Sequence, residues 1–161
     1  MEAPMNTTPS NGETREAPAR LSLDNLVEVM ERTEGADGKV SYDHLYKYYA
    51  PNMRFQDSIQ TIHGREPFID MCKRLAKRSN SLKMKVTGAA QNGNYIFFQW
   101  TMTINFANTK TTPMYGCSKL TLNADGQILE QRDYYDLWGD TFDVIPGVGK
   151  LYRMAMQKLF G

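Results

Sequence analysis

The run Gln131-Arg132-Asp133-Tyr134-Tyr135-Asp136 places ionisable groups where a strand should be crossing a core, directly after the turn Asn123-Ala124-Asp125-Gly126 and the apolar pair Ile128-Leu129. A strand alternates its faces with period two, so Gln131, Asp133 and Tyr135 share one side and Arg132, Tyr134 and Asp136 the other. One side is covered, so a carboxylate faces inward. Asp133 is the candidate. A charge on the covered face of a sheet is costly unless it is paired or lines a wet cavity, and such positions are disproportionately functional. Desolvation raises a carboxyl pKa, which suits proton abstraction beside a carbonyl at neutral pH. The alternative is an ion pair or hydrogen bond that braces the sheet. Tyr135, on the same face, either hydrogen-bonds a ligand oxygen or is core with its hydroxyl satisfied.

Other chemistry is sparse. His44 and His63 are the only histidines and share no HxxxH or HxH spacing, and Cys72 and Cys117 lie far apart with no CxxC. No metal site or disulfide framework is expected. No GxSxG, P-loop or dinucleotide fingerprint occurs, so no cofactor is implied. Asp57 precedes Ser58, where it caps a turn or reaches the pocket.

The elements that must carry these residues follow from periodicity. Leu23, Leu26, Val27 and Met30 recur at helical spacing behind the N-cap Ser22. A second helix is expected from Ser41, ending before Pro51. Met53 to Phe55 and Ile59 to Ile62 read as short strands, and Pro67 to Arg78 as a third helix whose basic end complements the helix dipole. From Leu82 the period switches to two. Asn92-Gly93 is a hairpin turn, and the next strand alternates Ile96, Phe98, Trp100, Met102, Ile104 and Phe106 against Phe97, Gln99, Thr101, Thr103 and Asn105. The second of these faces suits a pocket wall or an interface. A strand from Thr112 to Asn123 then turns into the one carrying Asp133.

With 161 residues the chain is one domain plus tails: a disordered lead-in over 1–20, a domain over 21–145 and a C-terminal amphipathic helix over 146–161. The lead-in is rich in Pro, Thr, Asn and Glu and has no apolar h-region. Lys and Arg number 19 against 18 Asp and Glu, which gives no electrostatic argument for nucleic acid. No apolar run approaches a membrane span, and the cysteine usage fits a reducing cytoplasm. Ten Met, nine Tyr and seven Phe suit a core and equally the lining of an apolar cavity. For the last helix two readings stand: it packs back on its own domain, or its basic amphipathic surface makes a weak membrane contact or lies across a pocket mouth.

The order helix, helix, two short strands, helix, four long strands resembles the nuclear-transport-factor-2-like superfamily, and within it the SnoaL-like proteins. The likeness covers roughly Leu23 to Trp138 and rests on Tyr49-Ala50-Pro51-Asn52-Met53-Arg54-Phe55-Gln56-Asp57, His63-Gly64-Arg65-Glu66 and Arg132-Asp133-Tyr134-Tyr135-Asp136. The resemblance implies an α+β fold: a cone-shaped, curved, mostly antiparallel sheet wrapped around N-terminal helices. It also implies a small hydrophobic molecule as ligand and a homodimer. The patterning agrees, because four long strands with one apolar face need a cover and the helices supply it.

Fold does not give function, and the resemblance offers several activities. Asp57 falls where isomerases of this fold keep a proton-moving Asp, but the expected Tyr and second acid are missing and Ser118 stands as a single hydroxyl donor. Epoxide hydrolases of this fold pair an Asp like Asp133 with an Arg and an Asp, and here those places read Gln99 and Thr101. Polyketide cyclases of the SnoaL type need one pocket carboxylate, similar in placement to Asp133. The resemblance therefore implies Asp133 and Asp57 as catalytic groups, with Tyr135, Gln99, Thr101 and Ser118 on the ligand. A noncatalytic ligand-binding or association domain stands as the alternative.

Overall fold

A computed structural model describes residues 18–106, 113–142 and 147–161. Most of the expected lead-in, residues 1–17, and the expected boundary at 145/146 lie outside them. Residues 18 to 20 are held: the Ala19 N–H donates to Lys47 O at 3.0 Å, and Leu21 N–H follows with Gly126 O at 2.9 Å.

The elements run α1 (Leu23–Glu31), a 3-10 turn (Asp43–Tyr48), β1 (Tyr49–Gln56), β2 (Thr61–His63), α2 (Arg65–Arg78), β3 (Ser79–Asn92), β4 (Tyr95–Phe106), β5 (Pro113–Leu122), β6 (Ile128–Tyr135), a π turn (Leu137–Phe142) and α3 (Val148–Phe160). The strands form one curved, unclosed sheet in the order β2-β1-β6-β5-β4-β3. All neighbours are antiparallel except β1 and β6, which run parallel. The architecture is the expected α+β one. Register slips within β3 between Val86 and Gly88 and within β5–β6 between Thr121 and Leu122 bend the strands, as bulges do.

Two expected elements differ. The strand expected over Ile59 to Ile62 is confined to Thr61–His63, because the N–H groups of Ile59 and Gln60 are taken by Asp57 Oδ1 in a turn. The second helix is only a 3-10 turn, and Tyr49 already belongs to β1. Tyr49 and Ala50 are buried against the core, so burial of an extended segment outweighs its helical spacing. Pro51 is tolerated because the β1–β6 pairing slips between Tyr49 and Arg54, where its missing N–H is not required.

α1 and α2 cover one face of the sheet. Leu26, Val29 and Met30 of α1 and Phe68 and Cys72 of α2 join Met53, Phe55, Ile96, Phe98, Trp100, Leu120 and Ile128 in a single core. The seal is not uniform. Ile96, Leu120 and Ile128 are wholly buried, whereas Met84, Met102 and Met114, paired side by side across β3, β4 and β5, are only partly covered. The inner face is thus sealed at the Ile96 end and only partly covered at the methionine row, beyond which Leu82 is buried again. Among the described residues no helix is long and apolar enough to cross a membrane.

Candidate functional site

Alternation along β6 turns Gln131, Asp133 and Tyr135 inward, and cross-strand pairing assigns each a row. Asp133 stands opposite Ser118, which pairs with Phe98. Tyr135 stands opposite Gly116, which pairs with Trp100, and Gln131 opposite Leu120, which pairs with Ile96. Asp133 therefore sits between the sealed end and the methionine row. It keeps part of its surface accessible although it lies deep among protein atoms, as a group does that lines a concavity.

Two chains of donors converge on it. The Trp100 indole N–H donates to Ser118 Oγ at 2.8 Å, and the Ser118 hydroxyl donates to Asp133 Oδ1 at 2.6 Å. From the other side the Tyr49 hydroxyl donates to Gln131 Oε1 at 2.6 Å, which orients the amide so that Gln131 Nε2 donates to Asp133 Oδ1 at 2.9 Å and Oδ2 at 3.1 Å. The indole fits because position 116 is glycine: a Cβ there would collide with the Trp100 ring. A glycine inside a strand marks such a close approach.

Burial pushes the Asp133 carboxyl up from its ordinary 3.8 to about 6, against the opposing hydrogen bonds of Ser118 and Gln131; the Asp57 charge adds to the rise and Arg132 lowers it. Oδ1 is held by two donors and Oδ2 by the weaker half of a chelate, so Oδ2 keeps the spare lone pair. Such a group exchanges a proton near neutral pH without being free to rotate. Cys72 faces the same interior, and burial pushes its thiol up to about 12, with the Asp133 charge contributing. A buried thiol of that kind is inert as a nucleophile.

Of the residues singled out in the sequence, Ser118 and Tyr135 share the inner face with Asp133. Asp57 reaches it through Tyr135, whose hydroxyl donates to Asp57 Oδ2 at 3.2 Å. Asp57 Oδ1 meanwhile accepts from the N–H groups of Ile59 (2.8 Å) and Gln60 (2.7 Å), so it also builds the β1–β2 turn. Gln99 and Thr101 are not brought to the cluster. They pair with Cys117 and Tyr115 on the opposite face of the sheet, because Phe98 and Trp100 take the inner positions of β4. The expected pocket wall is thus the outer surface. Trp100, Gly116, Gln131 and Tyr49 complete the cluster, and sequence reasoning did not select them. An isolated Gly between strand residues and a Gln two places before the Asp were the available signals.

A SnoaL-like domain model matches residues 29–131, well over half of the sequence. The chain belongs to the SnoaL-like domain family. None of the curated proteins compared with it matches. Among solved structures, an NTF2-like protein of unknown function from Exiguobacterium sp. 255-15 superposes with TM-score 0.59 at 18% identity, covering 71% of this chain and 97% of its own. A LEH-like epoxide hydrolase of M. tuberculosis gives 0.56 at 16%, with coverage of 74% and 84%. A protein of Jannaschia sp. CCS1, provisionally named a SnoaL-like polyketide cyclase, gives 0.54 at 22%, with 66% and 77%. At these identities the likeness establishes the NTF2-like fold of this SnoaL-like domain and leaves its chemistry to its own residues.

Proposed function

We propose that this SnoaL-like protein binds a small hydrophobic carbonyl compound against the partly covered part of its inner face, and that Asp133 moves a proton on it without a cofactor. The observation that carries the reading is Asp133 itself: a carboxylate fixed by Ser118 and Gln131, set among Phe98, Trp100 and Tyr135, with a pKa near 6 and a spare lone pair on Oδ2. In the ionised form Oδ2 takes a proton from the carbon beside a carbonyl. The C–H electron pair passes into the new C=C bond as the carbonyl oxygen takes up the charge. Attack of that enolate on a second carbonyl closes a C–C bond, and the Asp133 carboxylic acid returns its proton to the resulting alkoxide. Atoms and charges balance with no further reactant.

Mass spectrometry of small molecules extracted from the purified protein tests the binding half, and Asp133→Asn tests the chemical half. A ligand with a carbonyl and turnover lost in the Asn variant support the reading. Unchanged turnover by Asp133→Asn on the identified compound overturns the catalytic role. The noncatalytic alternative draws on the way Tyr49 and Trp100 brace Asp133 through Gln131 and Ser118, and on Tyr135 being engaged by Asp57 rather than aimed at a developing oxyanion. It expects a lower melting temperature in Asp133→Asn and no change in any reaction.

The outer face supports a homodimer. Phe97, Tyr115 and Tyr134 stand exposed there at 41%, 59% and 53%, an apolar patch of the kind that marks an interface. The free cysteines Cys72 and Cys117 suit a reducing compartment such as the cytoplasm.

A further inference from the structure

The two donors on Asp133 are held by residues of different kinds. Ser118 Oγ takes the Trp100 indole N–H, and an indole only donates, so the Ser118 hydroxyl proton is left for the carboxylate. Gln131 is held by Tyr49, whose hydroxyl can donate or accept. An amide turns over with little change of shape, exchanging a donor for an acceptor. Turned over, Gln131 offers Oε1 to Asp133 and Nε2 to Tyr49. The Tyr49 hydroxyl can accept that N–H, but its own proton then loses Gln131 Oε1, its one acceptor among the described residues. Tyr49 is 1% exposed, so water does not take that place, and a buried donor left unsatisfied is costly. The ring cannot swing away. It packs on Phe68 of α2 with centroids 4.7 Å apart, and Arg65 Nη1 donates to Tyr49 O at 3.4 Å.

We infer that Tyr49 is a positioning residue for the proton on Asp133: it latches the Gln131 amide with Nε2 inward, so that the acid form presents its proton to a bound ligand and not to Gln131. The inference rests on the proton-moving role proposed for Asp133. Nε2 chelates both carboxyl oxygens and the Ser118 hydroxyl fills Oδ1, so the proton enters on the spare lone pair of Oδ2, directed away from both donors. A proton placed there has no acceptor within the cluster and is available for return to an alkoxide. With the amide free to turn, Gln131 Oε1 accepts it instead, and the acid form is stabilised inside the protein.

Tyr49→Phe keeps the ring and removes the latch. Titration of the Asp133 carboxyl carbon by NMR, in the unliganded protein, should show its proton affinity raised roughly tenfold, because the acid form gains Gln131 Oε1 as an acceptor. The other titratable or charged groups around the carboxyl are unchanged: Asp57 and Tyr135 across the inner face, Cys72 on α2 and Arg132 on β6. On the ligand identified by mass spectrometry, kcat should fall by on the order of tenfold with KM unmoved, since the buried Tyr49 touches no ligand. In a Gln131→Leu background, Tyr49→Phe should leave the titration where it is. In the parent chain, the scalar coupling from Gln131 Nε2 to the Asp133 carboxyl carbon should persist above and below the titration. Loss of that coupling in the acid form, a titration unmoved by Tyr49→Phe, or one moved equally in the Gln131→Leu background overturns the latch. Because the titration needs no turnover, a raised proton affinity in Tyr49→Phe beside full turnover in Asp133→Asn supports the latch while overturning the catalytic reading.

Discussion

Asp133 and Asp57 carry the same carboxyl group and lie at the two ends of a path through Tyr135, yet their surroundings differ in kind. Asp57 takes two backbone N–H groups in a turn whose neighbours Ser58, Ile59 and Gln60 are exposed. Its donors are fixed by the chain's own local geometry, as in any Asx turn. Asp133 takes side-chain donors only, each held in turn by a second residue, on a face walled by aromatic rings. Backbone donors at a wet turn make a carboxylate that shapes the chain. Side-chain donors on an enclosed face leave one whose charge is costly and whose proton is therefore mobile near neutrality.

The strongest way to break this contrast is Asp133→Asn. The Gln131 amide can turn over to offer Oε1 to the new Asn Nδ2, with Tyr49 then accepting from the Gln131 amide, so the network survives the change. Turnover of the identified ligand should fall by about 10²–10⁴-fold, the usual worth of a positioned acid-base group, with the parent chain as reference. In the parent, kcat/KM should rise with pH through about 6 as Asp133 ionises. The same substitution at Asp57 should leave turnover within a small factor.

The next effect is on stability. The folded chain holds the Asp133 proton up to about pH 6, whereas the ordinary value is 3.8, so between these pH values the folded state binds more protons than the unfolded one. The stabilisation is fully present below the unfolded pKa and is lost as pH rises through about 6, a total of about 3 kcal/mol. Urea denaturation across this window should show the parent losing stability relative to Asp133→Asn as the pH rises. A constant difference between the two would remove the burial argument.

How much of this could be read from the chain depends on the distance over which each feature is decided. Alternation in β4 and β6 and the turns at Gly93 (φ 59°) and Gly126 (φ 77°) are local, and they identified the strands and the inward side of Asp133. Which face of β4 meets Asp133 is decided by the β4–β5 register, and periodicity alone does not carry that information. Gln99 and Thr101 were assigned to the wrong side for this reason. The parallel pairing of β1 with β6, which brings Tyr49 to Gln131, joins residues 82 positions apart and has no local signature. The apolar stripe of α3 was visible, but a stripe does not say what covers it.

Gly116→Ala probes the scaffold behind Asp133. The added methyl has no room beside the Trp100 ring, so the indole must move away from Ser118. Overpacking of this kind costs about 1–3 kcal/mol, readable as a lower denaturation midpoint. With Trp100 displaced, the Ser118 hydroxyl is free to turn from the carboxylate, and because that hydrogen bond lowers the Asp133 pKa, the acid limb of the rate profile should move to higher pH. A midpoint unchanged from the parent would show that the ring is accommodated elsewhere.

Asp57→Ala should give the smallest change and sharpens the contrast most. Water can replace the acceptor at an exposed turn, so losing its bonds to Ile59 and Gln60 should cost about 0.5–1.5 kcal/mol. Its charge raises the Asp133 pKa, so removing it should move the acid limb of the rate profile to lower pH, opposite in sign to Gly116→Ala. The pair of variants thus separates two ways of reaching one carboxyl group, a lost donor and a lost like charge, by direction alone. If both shift the limb the same way, the rate profile reports a general loosening of the inner face rather than the proton on Asp133.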